Sequence, residues 1–217
     1  MFDHVIIDDR LIMLRPAIAR LILLGFLISM PIFTASAADD ESPASVVTGF
    51  QTALIDVMKT AESLSVKQRY EQLAPTVDRS FHIALMAQIS AGTHWQQATR
   101  EERIDLVKAF RRMSISTLAT LFSGYSGEVF KVNKEMDGPS QTRLIMTELI
   151  KQDKSTVDIS YVCRRFQEGW RVIDVIVDNG ISELKVRRSE YNLILKQSGL
   201  PGLITLLHSK ADELVAE

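Results

Sequence analysis

The stretch TVDISYVCRRFQEGWRVIDVIV, residues 156–177, decides the fold. Val157, Ile159 and Tyr161 alternate with Asp158 and Ser160, which is the period of a half-buried strand. Gln167-Glu168-Gly169 turns tightly into a further strand, Trp170 to Val177. That strand is apolar on both faces, with Ile173, Val175 and Val177 on one and Trp170, Val172 and Ile176 on the other. It is expected to be central and covered on both sides. Upstream, Glu128 to Glu135 and Arg143 to Ile150 read as two more strands. Asp137-Gly138-Pro139-Ser140 turns between them, and Lys151 to Ser155 turns into the third. Short turns between neighbours predict an antiparallel meander of about four strands.

On either side of this block the apolar period changes to that of helices. Ser42-Pro43 is an N-cap followed by Pro at the first helical position, and Val47, Phe50, Leu54, Val57 and Met58 follow as one stripe. A short helical stretch covers Ser65 to Leu73 and is expected to end before Pro75. Another runs from Asp78 to Ile89, with Gly92 as its stop. Thr99 to Glu102 is a capping box that opens the longest helix, Arg100 to Phe122. Its apolar stripe holds Ile104, Val107, Phe110, Leu118 and Leu121; Lys108, Arg111 and Arg112 read as a solvated face. After Asp178-Asn179-Gly180, Ser182 caps a helix to Ser198, Gly199 ends it, and Pro201 opens a last one. Helices, then strands, then helices predict an α+β domain in which helices cover an antiparallel sheet.

The first 37 residues read as an address. Leu21 to Phe33 is an uncharged apolar run, LILLGFLISMPIF, preceded by Arg15 and Arg20. Thr34-Ala35-Ser36-Ala37 follows, with an Ala-x-Ala ending at Ala37. These are the three parts of a secretory signal peptide, and the run is too short to span a bilayer. Asp3, Asp8 and Asp9 are unusual before such a run, so translation is expected to start at Met13. No Cys follows Ala37 to carry a lipid anchor, and the mature chain, 38–217, is expected to be a soluble single domain.

Three Arg and three Asp leave with the leader, so the net charge stays at −2. That balance gives no electrostatic footprint for nucleic acid. The single cysteine, Cys163, excludes an internal disulfide and reads as a buried thiol within a strand. Catalytic chemistry is mostly absent from the motifs. His82 and His94 lack partners at metal-ligand spacing, and Gly124-Tyr125-Ser126-Gly127 lacks the Lys and helix of a phosphate loop. There is no G-x-S-x-G elbow. No cofactor is expected. Asp174 inside an apolar strand is the one notable carboxylate; pairing with Arg171, Arg187 or backbone donors is its ordinary explanation. What abounds is large, soft apolar surface. Phe81, Met86, Trp95, Phe110, Met113, Phe122 and Met146 recur on helices and sheet, where helices over a sheet can enclose an apolar cavity.

Val77-Asp78-Arg79-Ser80-Phe81, Met86, Trp95 with Ala98-Thr99, and Phe110-Arg111-Arg112 together resemble the MlaC, or toluene-tolerance, family of periplasmic lipid carriers. So do Gly169 to Val175, Gly180-Ile181-Ser182 and Gly199 to Ile204, and the resemblance covers the whole mature chain. Phe122 to Phe130 and Ser182 to Tyr191 are similar to its hopanoid-associated members. The resemblance implies a non-enzymatic periplasmic carrier holding a phospholipid or hopanoid tail in a pocket between sheet and helices. It also implies two partners, an inner-membrane ABC transporter complex and an outer-membrane complex. Physics agrees with such a role, because burying a 16-carbon tail is worth about 12 kcal/mol. The expected lining is Phe81, Met86, Phe110, Met113, Leu118 and Phe122 from helices, with Leu144, Met146, Val157, Ile159, Tyr161, Ile173 and Val175 from the sheet. A one-residue error in strand register would invert each of the latter. Two other readings stay open: a small-substrate enzyme using Asp174 or His82, and an envelope adaptor that binds proteins and no lipid.

Overall fold

The structure, a computed structural model, describes residues 41–178 and 180–216. The leader, with its expected start at Met13 and cleavage after Ala37, lies outside the described residues. Among the described residues, five strands form one sheet: β1 (Val129–Asp137), β2 (Thr142–Ile150), β3 (Thr156–Phe166), β4 (Gly169–Val177) and β5 (Ile181–Ser182). Their spatial order follows the chain, and each pairs antiparallel with the next. The meander is therefore as expected, with a two-residue fifth strand added at its edge.

β4 departs from its expected faces. Val162 pairs with Asp174 but Cys163 pairs with Val172, which leaves Ile173 as the extra residue of a β-bulge. Alternation restarts across the bulge. Val172 therefore joins Val175 and Val177 on the face that carries buried Cys163 and Tyr161, while Ile173 leaves it. Nor is β4 central or covered on both sides: it is second from one edge, and Ile173 and Ile176 are half-buried.

Among the described residues, six α-helices accompany the sheet: α1 (Pro43–Thr60), α2 (Val66–Ser80), α3 (Ile83–Ala91), α4 (His94–Gln97), α5 (Arg100–Leu121) and α6 (Glu183–Ala216). α1 begins as its sequence dictates, with Ser42 Oγ accepting from Ser45 N–H at 3.1 Å and Pro43 in the first turn. It lies across the sheet and touches all four long strands. α2 and α5 each open with a complete capping box, Ser65 with Gln68 and Thr99 with Glu102.

α2 does not stop before Pro75 but runs through it to Ser80. Proline there removes one hydrogen bond to the carbonyl of Glu71. Glu71 and Pro75 are both exposed, so water can take that carbonyl. The true break comes at Phe81-His82, where Phe81 is extended and bridges Val172, and His82 N–H donates to Val172 O at 2.9 Å. His82 then caps α3, its Nδ1 accepting from Leu85 N–H. α6 bends at Gly199 (φ 62°, ψ −164°), a backbone state open to glycine, and resumes through Pro201 as expected. Arg69 ties the helices together: buried, it donates to the carbonyls of Ala61, Leu64 and Ala119.

Candidate binding cavity

The helices do not close fully onto the sheet. Between them lies a cavity of about 430 Å³, within the range of ligand pockets. Phe50 and Leu54, one turn apart on α1, form its base, and Phe50 sits edge-on to Phe81 at 4.8 Å and to Tyr161 at 6.2 Å. Phe81 and Met86 come from the α2–α3 junction and α3. α5 supplies Phe110, Ser114, Thr117, Leu118 and Leu121, which share one face of that helix, and Phe122 follows at its end. The sheet contributes Phe130, Leu149, Val157, Ile159, Tyr161, Val175 and Val177. Leu121 is 71% exposed and marks the rim.

Of the residues expected to line a cavity, Phe81, Met86, Phe110, Leu118, Phe122, Val157, Ile159, Tyr161 and Val175 are brought together here. Met113, Leu144, Met146 and Ile173 are not. Leu144 and Met146 belong to the opposite face of β2, because Ile145, buried, and Thr147 point toward the helices. Met146 is 37% exposed. Ile173 is displaced by the bulge. Met113 lies beside the α5 stripe and packs onto the core instead. Among the residues sequence reasoning missed, Phe50 and Leu54 were on a stripe already visible in α1. Leu149 and Val177 follow once the register of Val157 and Ile159 is fixed.

Polar groups beneath the cavity are satisfied from below. Gln51, buried on α1, donates to Thr147 Oγ1 at 3.0 Å and to Tyr161 Oη at 3.4 Å, and Thr147 Oγ1 donates to Ile159 O. Burial pushes the Tyr161 hydroxyl up to about 12. The only ionisable side chains on the wall besides Tyr161 are Glu183 and Arg187, both from the start of α6. This arrangement offers apolar contact and almost no acid–base chemistry.

The residues singled out for chemistry have structural work. Asp174 accepts from Val175 N–H at 2.8 Å, Ser182 Oγ at 2.6 Å and Leu184 N–H at 3.2 Å. With Ser182 Oγ accepting from Lys185 N–H, it caps α6. His82 caps α3 and lies 4.1 Å from the Phe166 ring. Cys163 is buried, its thiol pushed up to about 12 by burial.

Fold and cavity define a class: an α+β protein with an antiparallel meander, helices on one face of it, and an apolar cavity between the two. A solved structure shares this fold, that of a phospholipid-binding protein from Ralstonia solanacearum in complex with a phospholipid. The two superpose with a TM-score of 0.70 at 16% identity, over 82% of this chain and 99% of that one. The family model described as MlaC protein matches residues 49–209, and the chain belongs to that family.

Proposed function

We propose that this protein is a non-enzymatic lipid carrier of the periplasm, the apolar tail of one lipid occupying the cavity between α1, α3, α5 and the sheet. The observation that carries the reading is the wall itself. It is mostly aromatic and aliphatic, drawn from five helices and four strands, with Glu183 and Arg187 as its only charged members. Membership of the MlaC family and the phospholipid in the Ralstonia neighbour support it. The ligand is a phospholipid; a hopanoid is the alternative raised by Phe122 to Phe130 and Ser182 to Tyr191. The body, 38–217, is released by cleavage after Ala37. It exchanges lipid with an inner-membrane ABC transporter complex and an outer-membrane complex. Native mass spectrometry of protein isolated from the periplasm tests this, with extraction and mass identification of what co-purifies. A bound lipid is expected. Protein recovered empty, whose unfolding temperature does not respond to added phospholipid, overturns the proposal.

A further inference from the structure

A second cleft, also of about 430 Å³, lies on the other side of the α6 N-terminal half, against the end of α3 and the start of α4. Its lining is far more polar than that of the apolar cavity. Lys185, Arg188, Ser189 and Asn192 line it from α6, at spacings that place them on one helical face. Thr93 and His94 line it from the α3–α4 connection. No Asp or Glu is among its lining residues, and among the described residues neither Lys185 nor Arg188 has a carboxylate partner. In a chain of net charge −2, two unpaired cations facing one cleft are not the background.

Arg188, an exposed residue, also lies close against the end of α3. Gly92 ends α3 at φ 59°, and a Cβ there would lie 3.2 Å from both Nε and Nη2 of Arg188. The guanidinium thus rests against the Gly92 backbone, in space that any other residue would fill. It has no hydrogen-bond partner among the described residues, so its fork of donors is available to a ligand. A planar fork, an ammonium, two hydroxyls and an amide converging on one cleft match a tetrahedral oxyanion better than a carboxylate or a neutral group.

We propose that this cleft binds a phosphate group, Arg188 gripping two oxygens and Lys185 a third, with Ser189, Asn192 and Thr93 as supplementary donors. The phosphate comes from a lipid headgroup at a membrane surface or from a free phosphate ester. The site is independent of the apolar cavity: Arg187 lines one and Arg188 the other.

The purified protein is titrated with inorganic phosphate by calorimetry, and floated with phosphatidylcholine vesicles made with and without phosphatidylglycerol. Binding in either arm is expected to weaken about tenfold in Arg188→Gln, as loss of a charge-assisted pair implies. Lys185→Gln, at an exposed position, gives a smaller loss in the same arm and serves if Arg188→Gln does not fold. Lys210→Gln, paired with Glu213 farther along α6, leaves binding unchanged. Loss in the vesicle arm alone assigns the headgroup; loss in the calorimetric arm assigns the free ester. Absence of binding in both arms, or binding that Lys185→Gln and Arg188→Gln leave intact, overturns the proposal. Val175→Trp, which fills the apolar cavity, leaves phosphate binding in place, so failure of the carrier reading is read separately.

Discussion

Val175 is a side chain through which the cavity can be closed. It lies on the cavity wall beside Tyr161 and is only half-buried. Val175→Trp should fill the slot at a cost of about 1–3 kcal/mol in stability, as overpacking does. Lipid co-purification, read by native mass spectrometry, should then fall away while circular dichroism stays unchanged. Ile159→Trp should do the same from β3. Arg69 is the opposite kind of residue, absent from the cavity wall and holding three carbonyls of different elements. Arg69→Met keeps the volume and strands those acceptors. The loss should be about 3 kcal/mol, seen as a lower urea midpoint with unchanged slope.

Elements were legible wherever local chemistry decides them. The Thr99–Glu102 box opens α5 where the sequence places it, and Gly199 breaks α6. Thr99→Ala should cost about 1 kcal/mol by loss of the cap, again in the urea midpoint. What could not be read was set by distant partners. Pro75 looked like a stop, but an exposed turn tolerates it, and the real break is made by Val172 pairing with Phe81-His82. The sheet half of the site suffered similarly. Alternation in β2 allowed either face, and only packing of Ile145 and Thr147 under α1 selects one. A single bulge at Ile173 then reversed part of β4, and nothing local in Arg171-Val172-Ile173-Asp174 announces it. Of the helical half, Met86, Phe110 and Leu118 came through because they lie on helix faces whose inward direction is visible in the chain; Phe81 and Phe122 follow helix ends, and Met113, beside its stripe, stays out.

Across the whole molecule, burial of weak acids sets a pH limit. Burial pushes the Tyr161 hydroxyl and the Cys163 thiol up to about 12, and raises Tyr191 as well. Their ordinary values are 10.0 for tyrosine and 9.0 for cysteine. Above those values the unfolded chain binds fewer protons than the folded one, so stability must fall with rising pH. It is fully present below the ordinary cysteine value and is lost as pH climbs toward the folded values. Urea midpoints measured between about pH 7 and pH 11 should stay level to about pH 9 and then decline. Cys163→Ala should lower the plateau yet remove the earliest part of that decline. The folded protein's thiol should also resist alkylation at neutral pH and react on unfolding.

α1 touches all four long strands, and its Gln51 reaches Thr147 and Tyr161, residues 96 and 110 positions further along. Contacts that distant slow folding, because a long loop must close before they form. During synthesis the first helix of the body therefore waits. Phe50 and Leu54 have no sheet to cover until β2 and β3 have been made, and the core is completed late, by its earliest segment.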